Sequence, residues 1–260
     1  IDPSPYYTAQ VLRRSGFRAL RERGGQVALL CPNELEYAQL CALFSGCGAA
    51  VTRCCSAQDA ERAAKKHGTL VLQMQQEGLR LLLPRRTLAK EDLFLFCANL
   101  DLKLGAKELR AGVLSSCALE PLAERCGAKV LRMPRRELRA TLCESSLLSA
   151  QFLVDPYSAA LGIFAALQKL GLSAEEAAAS LPFTARCERV FPVRPQEIGR
   201  IFRTIAGDGQ DTDLTEGLLL KKGSGWVNIF PDRSGRRMKV VGSAFAEEYA
   251  QSLADFYVGR

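Results

Sequence analysis

Short apolar runs alternate with amphipathic stretches over the first hundred or so residues of the chain. Continuous apolar runs between turn residues are typical of buried strands, whereas apolar residues at intervals of three and four are typical of helices. The predicted strands are residues 26–31, 49–53, 69–73 and 79–83, and the predicted helices are residues 35–45, 59–66 and 91–99. Strands that alternate with helices in this way indicate an α/β unit with a parallel sheet.

The same alternation returns near residue 105. The predicted strands are residues 111–114 and 129–133, and the predicted helices are residues 118–126 and 158–170. The second helix is expected to stop at Gly171, and Ser173 with Glu176 has the spacing of a capping box at the start of another helix. Residues 182–199 contain several prolines and are predicted to form a strand that leads into a linker.

The chain after about residue 206 follows a different pattern. The predicted strands are residues 217–222, 226–231 and 238–241, and the predicted helix is residues 246–257. The first two of these strands are joined by Gly223, Ser224 and Gly225 and therefore predict a hairpin. The whole pattern indicates an α/β protein of three consecutive units, at residues 1–103, 104–205 and 206–260.

The composition agrees with a folded protein of several domains. Apolar residues make up 48% of the 260 positions and charged residues 24%, which is ordinary for a globular protein. No apolar run approaches the roughly 20 residues that span a bilayer, so no membrane partner is predicted. The first ten residues contain neither an initial Met nor a signal-peptide pattern. We therefore expect a piece of a longer chain, whose other domains are partners of this one.

The ten cysteines do not have the spacing of a zinc site or a disulfide framework. They include no C-x-x-C pair, and the single histidine, His67, leaves little material for a Cys/His site. His67 itself is expected to cap the end of a helix. These thiols are best accommodated in a reducing compartment, so the predicted location is the cytoplasm.

The formal net charge of +7 comes from basic doublets that are scattered along the chain. Nucleic-acid-binding proteins more often concentrate their charge on one element, so no nucleic-acid partner is predicted. No P-loop and no G-x-S-x-G motif occurs, which leaves nucleotide hydrolysis and serine-elbow chemistry without support. Asp208, Asp211 and Asp213 lack the spacing of a calcium loop and are expected to lie in a solvated linker.

Three stretches of sequence carry a resemblance to a known family. They are GTLVLQMQQEGLRLLLPRRTLAKEDLFLFC, GVLSSCALEPLAERCGAKVLRMPRRE and EGLLLKKGSGWVNIFPDRSGRRMKVVG. In this order they resemble the second, third and fourth domains of the α-D-phosphohexomutase superfamily, which includes phosphomannomutases and phosphoglucomutases. The resemblance spans nearly the whole chain and rests on layout more than on intact motifs. It implies tandem three-layer α/β/α domains, at residues 1–103 and 104–205, and a small α+β domain at residues 206–260.

The catalytic motifs of that family are missing from this chain. The family's serine loop, of the type T-A-S-H-N-P, does not occur. An ungapped match to its metal loop, D-G-D-x-D-R, places Gln75, Glu77 and Leu79 at the three carboxylate positions, with Arg80 at the arginine. One carboxylate is too few for a hard divalent cation. We therefore predict no catalytic residue, no metal site and no cofactor.

The sugar-recognition loop of the family, G-E-x-S-G, survives only in part. The nearest match, residues 143–147, retains Glu144 and Ser146 but loses both glycines. Glycines in such loops allow the backbone to approach a ligand closely. Because they occupy the matching positions, Glu144 and Ser146 are candidate sugar-binding residues; the alternative, which the loss of the glycines favours, is that they are ordinary loop residues.

The phosphate loop of the family, R-P-S-G-T-E-P, matches residues 230–236, in which only Pro231 is in place. The stretch still carries arginines, a hydroxyl and a glycine, which can bind phosphate through guanidinium groups and backbone amides. The candidate phosphate-binding residues are Arg233, Ser234, Gly235, Arg236 and Arg237. The ligand would be a sugar phosphate or phosphate, and the alternative is a plain basic turn.

Two functional hypotheses follow from the resemblance. The first is a module that no longer catalyses and serves as the regulatory or sugar-phosphate-binding part of a larger protein, of the kind in which a mutase-like region follows a mannose-1-phosphate guanylyltransferase-type domain. The second is an active phosphohexomutase whose phosphoserine domain lies outside these residues. The missing carboxylates weigh against the second hypothesis.

Overall fold

The computed structural model of the chain describes residues 7–11, 24–76, 78–142, 145–207, 212–213, 216–232 and 234–258. Strands and helices alternate in these ranges, and the predicted α/β class is confirmed. No disulfide joins the cysteines of the described ranges. The helices found there are too short or too polar to cross a bilayer. Two compact units make up the chain, the first from residues 1–109, 126–128 and 141–181 and the second from residues 110–125, 129–140 and 182–260.

A mixed five-stranded sheet lies at the centre of the first unit. Its strands are β1 (Gln26–Leu30), β2 (Ala50–Arg53), β3 (Thr69–Gln75), β4 (Gly78–Leu82) and β5 (Thr87–Ala89). Their order is β2-β1-β3-β4-β5. The strand β1 is parallel to β2 and β3 because two helices, α1 (Glu34–Gly46) and α2 (Ala57–Ala64), form the crossovers. Short turns join β3 to β4 and β4 to β5, so these pairs are antiparallel.

The helix α3 (Lys90–Lys103) is buried on all sides in the first unit. Each residue from 93 to 102 is buried, which is the pattern of a helix enclosed within a core. It contacts the strands β4 and β5 and also two helices, α6 (Leu148–Val154) and α7 (Pro156–Leu170). These contacts make α3 the central helix of the core of the first unit.

The ends of the helices follow the local sequence signals. The carboxylate of Asp155 accepts hydrogen bonds from the first amides of α7, and that helix ends at Gly171, whose φ is 66°. The next helix, α8 (Ala174–Ala179), begins with a complete capping box between Ser173 and Glu176. The predicted helix stop and the predicted capping box are therefore both confirmed.

The second unit begins with a small two-stranded sheet of β6 (Glu108–Gly112) and β7 (Lys129–Met133). The helices α4 (Leu119–Arg125) and α5 (Arg135–Leu142) follow these strands in turn. The prediction of a strand at residues 111–114 was wrong by about three residues. The chain turns after Gly112, where the amide of Ser115 donates to the Gly112 carbonyl at 3.0 Å.

A five-stranded antiparallel sheet follows in the second unit. Its strands are β8 (Ala185–Pro192), β9 (Thr212–Asp213), β10 (Leu218–Lys222), β11 (Gly225–Pro231) and β12 (Arg237–Ala244), in the order β8-β12-β11-β10-β9. The strand β8, which was expected to lead into a linker, pairs residue by residue with β12. It thus belongs to the same sheet as the last strands of the chain. The predicted division after residues 103 and 205 stays a prediction.

Apolar side chains cover both faces of this sheet. One face packs against α9 (Ile198–Gly207) and α10 (Glu247–Phe256). A Cβ on Gly242 would lie 2.4 Å from the Ala250 carbonyl, so only glycine permits this approach of α10. On the other face, Trp226 and Val241 pack with Val113, which lies in the loop after β6. The loop after β6 is thereby part of the core of the second unit.

Candidate functional site

The predicted phosphate-binding residues lie in the turn between β11 and β12. The described members are Ser234, Gly235, Arg236 and Arg237, and Arg233 lies outside the described residues. The Asp232 amide donates to the Arg237 carbonyl at 2.9 Å, and the Gly235 amide donates to the Asp232 carbonyl at 3.0 Å. Gly235 has a φ of 65°, which residues with side chains rarely adopt. The turn is therefore closed by its own backbone, and its glycine is conformationally required.

A carboxylate sits within this turn. Asp232 accepts a hydrogen bond from the Ser234 hydroxyl at 2.7 Å, and the Ser234 oxygen accepts one from the Arg236 amide at 3.2 Å. The hydroxyl donor and, to a smaller extent, the backbone amides of the turn lower the pKa of the Asp232 carboxyl. The group is therefore ionised at neutral pH, and the turn carries an anion of its own.

The cations around the turn differ in their availability. Arg236 and Arg237 have exposed side chains. Lys239, two residues further along β12, already pairs with Glu188 at 2.6 Å. The Arg236 carbonyl accepts from the Val193 amide at 2.9 Å, so the turn is tied to the end of β8. Of the described residues, Arg236 and Arg237 are thus the cations best placed to bind an anion at this turn.

The β3–β4 hairpin contains the positions that the resemblance assigns to a magnesium loop. Gln75 pairs with Gly78, so two residues join the strands. Leu79 has 2% of its surface exposed, and its side chain packs in the apolar core of the first unit. Magnesium requires several oxygen ligands, and a buried leucine supplies none. Glu77 lies outside the described residues. The residues described at this hairpin do not fit the ion.

The described ranges contain no alternative metal centre. No three His, Cys, Asp or Glu side chains of those ranges lie close enough together to share an ion. The absence of a metal site stays a prediction, because some acidic residues, among them Glu77 and Glu144, lie outside these ranges.

The remnant of the sugar-recognition loop lies in the first unit. Glu144 lies outside the described residues, and Ser146 is exposed. The Ser146 carbonyl accepts a hydrogen bond from the Gln151 side chain at 3.4 Å. This contact ties the segment to α6 and does not distinguish a sugar-binding residue from an ordinary loop residue, so the assignment of Glu144 and Ser146 stays a prediction.

Arg132 organises a loop that the sequence did not single out. Its guanidinium group donates to the carbonyls of Gly112, Val113, Ser115 and Ser116 at 3.3, 3.0, 2.8 and 2.8 Å. It also forms a bidentate salt bridge with the Glu120 carboxylate, with distances of 2.5 and 2.8 Å. One side chain of β7 therefore fixes the whole loop between β6 and α4. The sequence carries no signal for this role, since most of the acceptors are backbone carbonyls.

Comparison with solved structures identifies the fold. A phosphoglucomutase/phosphomannomutase family protein from Burkholderia thailandensis superposes with a TM-score of 0.74 at 10% sequence identity, covering 98% of this chain and 63% of that one. The N-acetylphosphoglucosamine mutase of Aspergillus fumigatus gives 0.63 at 12% identity, covering 95% and 63%. An N-acetylglucosamine-phosphate mutase of the α-D-phosphohexomutase superfamily, in its substrate complex, gives 0.58 at 8% identity, covering 97% and 65%.

The similarity is one of structure and not of sequence. No protein-family model and no curated protein sequence matches the chain. The chain spans just under two thirds of the length of the structures that it resembles. At identities of 8 to 12% the likeness establishes the fold alone. Over nearly its whole length, this chain has the fold of the α-D-phosphohexomutases.

Proposed function

We propose that this chain is a catalytically degenerate phosphohexomutase-like module that binds a sugar phosphate. In this proposal it is the C-terminal regulatory or ligand-binding part of a cytoplasmic sugar nucleotidyltransferase of the mannose-1-phosphate guanylyltransferase type. Its partners are then the other domains of the same parent chain. Its own divisions are residues 1–103, 104–205 and 206–260, which correspond to the second, third and fourth mutase domains.

The burial of Leu79 is the main observation that supports the proposed loss of catalysis. Its position corresponds to a metal-binding carboxylate in the family, yet the side chain has 2% exposure and packs against other apolar residues of the core. A carboxylate in that place would be buried without a charged partner, which costs several kcal/mol. This hairpin is thus built for packing rather than for holding an ion.

Sugar-phosphate binding is supported by the fold and by the β11–β12 turn. One structure with the same fold contains GlcNAc-6P and magnesium, and another contains glucose 1,6-bisphosphate. In this chain the turn presents Arg236 and Arg237 at the surface beside a hydroxyl and a glycine. Guanidinium groups bind phosphate through two parallel hydrogen bonds. These groups can retain binding where the catalytic motifs are lost.

The experiment is a calorimetric titration of mannose 1-phosphate into the wild-type chain and into an Arg236→Ala/Arg237→Ala variant. We expect salt-sensitive binding to the wild type, with a Kd between about a micromolar and a millimolar, and none to the variant. An Arg125→Ala/Lys129→Ala variant is the control, because it removes the same charge from exposed positions elsewhere in the second unit. Equal affinity in all three proteins, or binding in none, would refute a phosphate site at this turn.

The alternative proposal is an active phosphohexomutase whose phosphoserine domain is supplied from residues outside this chain. It requires a metal site that the described residues of the β3–β4 hairpin do not offer. The two proposals differ in one measurement, since only the alternative predicts turnover when a separate phosphoserine domain and magnesium are added.

A further inference from the structure

We propose that the carboxylate of Asp232 is an internal occupant of the phosphate site and keeps the turn between β11 and β12 in an autoinhibited state. This inference rests on the proposed function and adds a regulatory contact to the same site. The ligand class is a phosphate monoester or inorganic phosphate, and the competing group is a carboxylate of the turn itself.

The hydroxyl of Ser234 and the backbone amides of Gly235 and Arg236 already donate hydrogen bonds within the turn. A serine hydroxyl has one proton to donate, and that of Ser234 goes to the Asp232 carboxylate at 2.7 Å. The Arg236 amide donates to the Ser234 oxygen at 3.2 Å, and the Gly235 amide donates to the Asp232 carbonyl at 3.0 Å. A phosphate that needs the hydroxyl must therefore first displace the carboxylate.

The negative charge of Asp232 also opposes the binding of phosphate. Asp232 lies in the same turn as Arg236 and Arg237, so its negative charge offsets part of theirs. An incoming phosphate meets both this reduced positive charge and direct repulsion from the carboxylate. At low ionic strength, repulsion between like charges a few ångströms apart is sufficient to lower the affinity for phosphate by about tenfold. Removal of the carboxylate charge should therefore raise the affinity for phosphate by about tenfold.

The test compares the binding of inorganic phosphate to the wild type, Asp232→Asn and Asp232→Ala, measured by calorimetry at low ionic strength. Asparagine keeps an acceptor for the Ser234 hydroxyl, and alanine adds no donor that could itself bind phosphate. We expect both variants to bind phosphate about tenfold more tightly than the wild type. The variant Asp232→Asn/Arg236→Ala should lose this gain.

A matched control separates the local effect from the general gain of positive charge. Glu124 lies exposed on α4, and Glu124→Gln changes the net charge by the same amount as Asp232→Asn. This control should bind phosphate as the wild type does. Thermal melting of each variant, followed through the single tryptophan, Trp226, checks that the fold of the second unit is intact.

The possible outcomes separate this inference from the function on which it rests. If the wild type and the Asp232 variants bind phosphate equally, the phosphate site stands and the autoinhibitory role of Asp232 is refuted. If Glu124→Gln gains as much affinity as Asp232→Asn, the effect is one of net charge and the inference also fails. If no protein in the series binds phosphate, both the inference and the proposed phosphate site fall.

Discussion

At the scale of single residues, Arg132 holds a loop that packs in the core of the second unit. Its guanidinium group satisfies carbonyls of the loop after β6, a loop whose Val113 packs against Trp226 and Val241. Burial raises the pKa of the Glu120 carboxyl, but the hydrogen bond and charge of Arg132 outweigh it, and the net effect is a lowered pKa. The arginine, the carboxylate and the loop thus form one coupled network.

Replacement of Arg132 by alanine is expected to destabilise the second unit by about 2–4 kcal/mol, because it leaves partly buried carbonyls and a carboxylate without their donor. Arg132→Lys should cost less, since an ammonium group can still reach some of these acceptors. Urea unfolding followed by the fluorescence of Trp226 measures both changes. Arg125→Ala, which alters an exposed arginine seven residues earlier, should change stability by less than about 0.5 kcal/mol. Equal effects at residues 125 and 132 would contradict the prediction.

The same ion pair predicts a dependence of stability on pH. The folded-state pKa of Glu120 is lowered from its usual value of 4.5, so the pair stabilises the fold above that value, and its contribution is lost as the pH falls through the folded pKa. Because the carboxylate is half exposed, solvent screens the pair, and the contribution should be no more than about 1 kcal/mol. Unfolding measured at neutral pH and at about pH 3 should show a smaller acid-induced loss for Glu120→Gln than for the wild type. An identical loss in both proteins would rule out this contribution.

At the scale of elements, the short helix α6 depends on a side chain from another helix. Asp101 of α3 accepts hydrogen bonds from the amides of Leu148 and Ser149, each at 2.8 Å, and from the Ser149 hydroxyl at 2.7 Å. A helix of seven residues is not stable alone, and its first amides need acceptors. The carboxylate supplies them from a position 47 residues earlier in the chain.

Asp101→Ala should therefore fray α6 and destabilise the first unit by about 2–3 kcal/mol, since it leaves buried donors without an acceptor. The direct measurement is hydrogen exchange of the amides in residues 148–154. In Asp101→Ala these amides should exchange faster than in the wild type, and this increase should exceed any change in α7. Asp92→Ala is the control, because Asp92 lies on the same helix and has no part in the start of α6. Unchanged exchange in residues 148–154 would show that packing alone holds this helix.

Elements that neighbouring residues specify could be predicted from the sequence, whereas contacts between residues far apart in the chain could not. The strand at residues 26–30 is a short apolar run before the polar stretch that starts α1, and the capping box at Ser173 needs only Glu176. The pairing of β8 with β12 brings together residues about fifty positions apart, and no local pattern specifies such a partner. The polar helix at residues 135–142 was missed for a related reason, since it has few apolar positions from which to infer a period.

At the scale of the whole molecule, the α/β fold class could be predicted from the sequence, whereas the hydrogen bonds of the candidate phosphate turn could not. The pattern of apolar runs and turns is retained at very low sequence identity, because core positions tolerate many apolar side chains of similar size. A binding loop depends on individual polar groups, so substitution of a few residues removes the signal. Pro231 and the following arginines located the β11–β12 turn, but the role of Asp232 depends on the hydrogen bond from Ser234, which only the geometry of the turn reveals.

The same contrast between fold and chemistry leads to the last prediction, that the 260-residue chain alone does not interconvert hexose 1- and 6-phosphates. The sequence contains no serine loop of the family type, and the described residues at the β3–β4 hairpin do not fit magnesium, with Leu79 in the core. The assay couples the release of glucose 6-phosphate from glucose 1-phosphate to NADPH formation, in the presence of a bisphosphate activator and millimolar magnesium. An intact phosphohexomutase assayed in parallel confirms that the conditions support turnover. Heat-inactivated protein sets the background rate, and turnover above that background would mean that a phosphate donor and a metal site exist in this chain after all.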